Sequence, residues 1–216
     1  MIATNHELNK HTAAKLHSFE EMMTSTNSNS EDDPFLDNIP KQFRQRFDDS
    51  FFDECTFCHQ KFGSDKGYVI NKIYDDGECV YEIAYCSDCY QHLQKTFSSK
   101  SKEAMNNFFP SEEVLRKKRL PIMLTGENKC EELTSYCIKC ESKKAEVLDY
   151  HEYANCESHQ LMYGFYPYMI CASCVLELYN LLSKETIQAY NDFMETHFGL
   201  PPDFYSKKEK KSILFI

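Results

Sequence analysis

Four Cys-x-x-Cys pairs punctuate the chain: Cys55/Cys58, Cys86/Cys89, Cys137/Cys140 and Cys171/Cys174. Two residues between cysteines let both thiolates of a tight knuckle face one ion, and two knuckles supply the four ligands of a tetrahedral site. The spacing therefore predicts two structural four-cysteine sites with all eight cysteines as ligands, holding two Zn2+ per chain. A catalytic zinc keeps one position open for water, and four thiolates leave none. Disulfides and redox chemistry fit less well. Thiols stay reduced in the cytoplasm, and a thioredoxin-like site uses one pair in a βαβ setting. Cys55-Thr56-Phe57-Cys58-His59 satisfies the haem-attachment pattern, but Glu141 follows the matching Cys140. Iron also accepts tetrahedral sulfur, and spacing alone does not separate it from zinc.

The elements that must position these pairs repeat along the chain. A shift of 82 positions lays Cys55 on Cys137 and Cys58 on Cys140, and a shift of 85 lays Cys86 on Cys171 and Cys89 on Cys174. Leu93 and Phe97 then match Leu178 and Leu182, Ser101-Lys102-Glu103 matches Ser183-Lys184-Glu185, and Phe108 matches Tyr190. Knuckles can join sequentially or cross-braced, and a duplicated module favours the sequential scheme. Between the first two knuckles, Tyr68–Tyr74 and Cys79–Tyr85 flank Asp75-Asp76-Gly77-Glu78, a hairpin signal. In the second copy the expected strands are Ala145–Tyr150 and Gln160–Tyr166, with a longer turn. Each second knuckle opens a helical stripe, Tyr90/Leu93/Phe97 and its match from Val175 to Leu182. Helix N-termini favour thiolates and a net negative metal centre. A further helix is expected in each copy from near Ser101 and Ser183, with serine as cap.

Knuckle, hairpin, knuckle and helix is the order of a treble-clef zinc finger. The run Tyr168-Met169-Ile170-Cys171-Ala172-Ser173-Cys174-Val175-Leu176-Glu177-Leu178 resembles the second knuckle of the zinc-binding N-terminal domain of the ClpX unfoldase. That zinc domain dimerises and recruits adaptors and substrates. The resemblance implies that Cys137, Cys140, Cys171 and Cys174, and the matching Cys55, Cys58, Cys86 and Cys89, are ligands. The loops between knuckles are longer here, and no Gly-x-x-x-x-Gly-Lys-Ser/Thr run announces an ATPase.

The expected fold class is α+β, two small duplicated zinc modules of treble-clef type. A flexible acidic arm with a short helix (7–23) covers 1–36, module 1 covers 37–110, a connecting segment 111–136, module 2 137–205 and a tail 206–216. The connecting segment includes a short helix over 111–119 with a basic end, read as a solvated face. No secretory signal or membrane span is read, so a cytoplasmic location is expected. The formal net charge of −10 over 216 residues disfavours phosphate binding, and both finger regions are negative too, −1 over residues 55–110 and −5 over residues 137–200. Ionising eight thiols around two Zn2+ deepens the negative charge. The function read from this is a non-catalytic protein–protein interaction or adaptor module. A nucleic-acid-binding or transcription-associated finger is the alternative, and an enzyme with an unrecognised site ranks below it. Signatures such as His-Glu-x-x-His and Gly-x-Ser-x-Gly are absent. The expected partner is another protein, and self-association stays open. The arm, the aromatic run Tyr163–Tyr168 and the apolar tail are candidate contact surfaces. The alternative for the aromatic run is that its rings fill a small core. Cys79 reads as a small buried hydrophobe in a strand, and Cys130 and Cys156 as residues in polar, exposed surroundings. His59 and His92 read as ordinary surface or neighbouring residues.

Overall fold

The computed structural model describes residues 33–63 and 66–198. The expected helix over 7–23, nearly all of the polar linker after it and the tail over 206–216 lie outside them. The described residues mix helix and sheet, an α+β architecture. Among them six strands form one sheet: β1 (Leu36–Asn38), β2 (Gly67–Asp75), β3 (Glu78–Cys86), β4 (Tyr150–Glu157), β5 (Gln160–Met162) and β6 (Tyr168–Cys171). The order is β1-β5-β4-β2-β3, and β6 pairs with β4 beyond β5. All pairings between these strands are antiparallel.

The β2–β3 hairpin forms as the Asp-Gly signal requires. Asp76 and Gly77 both take positive φ, 52° and 76°, the backbone of a tight primed turn that matches strand twist. β2 is buried along most of its length, as expected of a central strand covered on both faces.

In the second half of the chain the expectation shifts. Ala145–Tyr150 is not a strand: residues Lys144–Glu146 make a 3-10 turn and β4 starts at Tyr150. The turn to β5 is not long either, because Ser158 takes the positive φ, at 53°, that Asp76 takes in the first hairpin. His151, Glu152 and Asn155 obscure this strand in the sequence by interrupting its apolar pattern. The strand Gln160–Tyr166 is likewise divided, and residues 163–167 loop out between β5 and β6.

Strands 82 positions apart pair with each other at the centre of the sheet. Gly67 lies opposite Glu157 and Tyr74 opposite Tyr150, so the register is centred on Asn71 and Tyr153, themselves 82 apart. Such a register is what a local two-fold axis produces. The hairpin registers correspond as well: Tyr68 faces Cys86 as Tyr150 faces Cys171. Here β3 runs unbroken, while its counterpart is split into β5 and β6.

Among the described residues six helices cover the sheet: α1 (Ser87–Lys95), α2 (Ser99–Phe108), α3 (Glu112–Thr125), α4 (Lys129–Leu133), α5 (Ala172–Leu181) and α6 (Lys184–Phe198). Two cores result. One joins Val69, Tyr85, Tyr153 and Tyr168 to the inner faces of α1, α2, α5 and α6 and to Cys55, Cys86, Cys137, Cys171 and Cys174, while Cys58 and Cys140 stay exposed. The other joins Tyr68, Ile70, Ala84 and Ala154 to Ile39, Phe43, Met123 and Leu133.

The connecting helix is longer than the 111–119 expected. It runs to Thr125 and buries Leu115, Arg119 and Met123, one turn apart each. Three of its four basic residues are solvated, but Arg119 points inward. Its Nε donates to Gly164 O at 3.1 Å and its Nη2 to Pro167 O at 2.5 Å, so it clamps the loop between β5 and β6. The aromatic run is core: Tyr163 and Tyr168 are buried, and Tyr168 stacks on Tyr153 with centroids 4.9 Å apart. It is therefore withdrawn as a contact surface.

Candidate metal centres

Each first knuckle is a tight turn closed by its own backbone. The His59 N–H donates to Cys55 O at 2.9 Å, and the Glu141 N–H to Cys137 O at 2.9 Å. His59 and Glu141 sit at φ 57° and 63°, the left-handed region that favours glycine. Each knuckle is also stitched to the far strand of its half. The Thr56 N–H donates to Ala84 O and the Ile138 N–H to Met169 O, both at 2.8 Å.

Each second knuckle forms where a strand ends and a helix begins. Cys86 is the N-cap of α1, its sulfur accepting from the Cys89 N–H at 3.5 Å, and Cys171 is the N-cap of α5. The Cys86 N–H points at Cys55 Sγ, 3.4 Å away, and the Cys171 N–H at Cys137 Sγ, 3.5 Å away. Helix-start amides and these N–H···S contacts supply positive potential to the sulfurs.

The eight cysteines fall into two clusters, Cys55/Cys58/Cys86/Cys89 and Cys137/Cys140/Cys171/Cys174, with the sulfurs of each cluster all within 4.8 Å of one another. The knuckles thus join sequentially. A metal bonded tetrahedrally to four sulfurs at ~2.3 Å needs sulfur–sulfur separations of roughly 3.8 Å. The observed separations are 3.8 Å for Cys55–Cys89, 3.8 Å for Cys58–Cys86 and 3.6 Å for Cys140–Cys171. Both clusters are able to hold a metal ion.

Proton affinities within the clusters point the same way. The hydrogen bond with Cys137, helped by Ser173, draws the Cys171 thiol down to about 4 against the opposing effect of burial. The same bond, with burial, drives Cys137 up. In the first cluster burial raises Cys89. It also acts to raise Cys58, but hydrogen bonds from the Gln60 backbone and the neighbouring thiols outweigh it and leave that thiol lowered. Four thiolates gathered within 4.8 Å of one another repel, and a bound cation is what would let them coexist.

The remaining cysteines stand apart from both clusters. Cys130 and Cys156 are buried in the second core, not exposed as their polar neighbours suggest. Cys79 is half-buried rather than buried, with its sulfur near Tyr81 O. Cys156 is buried because β4 alternates faces whatever the polarity of its sequence neighbours. Among the described residues histidine enters neither cluster. His59 is exposed beside Glu54, and His92 lies in the last turn of α1.

Sequence reasoning misses two supports, the left-handed knuckle residues and the Arg119 clamp. Glycine at 59 and 141 would have signalled the first, and nothing local signals the second. Among the described residues no helix is long and apolar enough to cross a membrane. Compared with models of protein families, with curated proteins and with solved structures, the chain matches none.

Proposed function

We propose that the chain is a non-catalytic zinc protein in which two treble-clef-like fingers, arisen by duplication, build one scaffold that docks another protein. The observation that carries the metal reading is the pair of four-cysteine clusters with tetrahedral sulfur spacing. Zinc is the ion favoured because it binds four thiolates without redox demands and is the usual occupant of such closed structural sites. A closed site supplies structure rather than an activated water. The similarity of the second knuckle to the ClpX zinc domain fits this reading, since that domain also works by recruitment.

A protein partner is favoured over nucleic acid by the acidic charge and by the state of the basic run. Lys117 pairs with Glu113, Lys118 with Glu141, and Arg119 is buried. Among the described residues the most exposed large apolar side chains are Phe47 at 97%, Leu148 at 63% and Val80 at 56%. All three lie around the end of the β2–β3 hairpin. Arg46 bonds to Cys79 O, and the Gly77 N–H donates to Leu148 O. They replace the aromatic run as the contact surface of this reading.

Elemental analysis of the purified chain tests the metal, with about two zincs per chain expected. Stoichiometric iron, or less than one metal, would refute it. Phe47→Ser with Val80→Ser should abolish partner capture and keep both zincs. Tight, salt-sensitive binding of DNA or RNA would overturn the protein-docking role.

A further inference from the structure

Each first knuckle leans on the other half of the molecule. Phe57, between Cys55 and Cys58, meets Phe193 of α6 edge-on at 4.8 Å and His197 at 5.3 Å. Lys139, between Cys137 and Cys140, donates to Phe108 O at the end of α2 at 2.6 Å, and its ammonium lies 4.5 Å over the Phe108 ring. Phe57 and Lys139 are 82 positions apart, and Phe108 and Phe193 are 85 apart. The contact is reciprocal although its chemistry differs, ring against ring in one case and cation against ring in the other.

The helices exchange partners in the same way: α1 packs on α6, and α2 packs on α5. At their starts α2 and α6 share one cap. The Ser98 N–H donates to Thr186 Oγ1 at 3.0 Å, the Ser183 N–H donates to Ser101 Oγ at 2.8 Å, and the Ser98 and Ser183 hydroxyls meet at 2.9 Å. In an ordinary capping box, the side chain three residues into a helix satisfies the cap N–H of that same helix. Here the opposite helix supplies it. Ser101 and Thr186 are buried, so each helix start depends on the other half for its hydrogen bonds.

We infer that the two metal sites load as one cooperative unit, an ion at either site raising the affinity of the other. This rests on the zinc reading and extends it. An ion in the first cluster fixes Phe57 against α6. The start of α6 is capped by α2, and α2 ends at Phe108, the platform for the second knuckle. Metal binding to such sites is coupled to folding, and both sites bias the folding of the same shared helices, which is the physical requirement for coupling. The coupling is reciprocal by linkage. The protein then responds to metal supply with a threshold, passing from empty to doubly loaded.

Native mass spectrometry of the full chain, given one Zn2+ per chain, reads this directly. Chains with no zinc and chains with two are expected, with singly loaded chains well below the about one half that independent equal sites give. With all added zinc bound, unequal independent sites would raise that fraction, so only coupling depresses it. Phe57→Ala and Lys139→Ala keep every ligand and should each raise the singly loaded fraction. Cys137→Ser should weaken zinc at the remaining site about tenfold or more. Two zincs at saturation with singly loaded chains at or above the independent level would overturn the cooperativity and leave the structural-zinc reading standing. No zinc uptake overturns both. If Cys137→Ser does not fold, the two alanine variants decide, and unchanged fractions in both refute the cross-half contacts as the route.

Discussion

The two clusters match in burial at three ligands and part at the fourth: Cys89 is half-buried, and its counterpart Cys174 is buried. Both use the same knuckle, the same register and the same helix start. The first half presents β3 as an edge strand, with Val80 exposed and Cys89 only half-buried. The second half splits the corresponding strand into β5 and β6, and β5 is covered in turn by β1. It buries Cys174, the counterpart of Cys89, and its broken strand is held by Arg119 from the connecting helix. One local design therefore tolerates two environments. The ligands are set within a few residues of chain, and the burial around them by what the rest of the fold packs over each half.

The largest effect that would test this contrast is removal of equivalent ligands. Cys174→Ser should destabilise the loaded protein more than Cys89→Ser, because a buried ligand gives its site no water to substitute. Chelator competition together with thermal melting should show Cys174→Ser losing zinc first, and equal losses would erase the distinction. Next, Arg119→Met should cost about 3 kcal/mol, since it strands the buried carbonyls of Gly164 and Pro167 without donors. Denaturant unfolding measures this, and a cost near zero would mean that the β5–β6 loop needs no clamp.

A third difference is chemical. His151 occupies the place that Val69 holds 82 positions earlier, and both face the sheet interior. Burial holds the His151 imidazole at about 4, below the ~6.5 of an unfolded chain. The unfolded state takes up that proton first. This contribution to stability is thus neutral above about pH 6.5 and falls as pH drops towards 4, by up to about 1.4 kcal/mol per pH unit. Burial raises Glu152, which acts in the opposite sense because the folded state then binds its proton more readily. His151→Val, making the second half resemble the first, should flatten the acid-side loss over this window. An unchanged pH profile would assign the loss to other groups. The smallest effect concerns the knuckle turns. His59→Gly should stabilise by about 0.5 kcal/mol, because glycine relieves the left-handed backbone at some entropic cost. A loss above 1 kcal/mol would show that the His59 side chain is needed.

Legibility in the sequence follows range. The β2–β3 hairpin is readable because Asp76-Gly77 announces its own turn. The grouping of cysteines into knuckles is readable because a knuckle closes within about six residues. β4 is not readable, since its polar residues break the apolar pattern and their burial is only seen in the fold: Glu152 bonds to Lys144, and His151 meets Tyr153 Oη at 3.3 Å. The expected helix start in the first half is one turn late. Ser98, not Ser101, caps α2 and matches Ser183, and Phe108 matches Phe193 rather than Tyr190. Both serines are suitable caps locally, and only the opposing helix selects between them.

What the sequence by itself determined is the chemistry: eight thiols in spaced pairs, an acidic chain, and turn and cap residues that fix local backbone. What the tertiary structure decided is that β2 and β4 pair into one sheet, that Arg119, Tyr163 and Tyr168 lie inside, and that each first knuckle rests on the opposite half. Local backbone preferences act over a few residues and are written in residue types. Strand pairing and burial depend on contacts between segments some 80 residues apart, whose free energy belongs to neither segment alone.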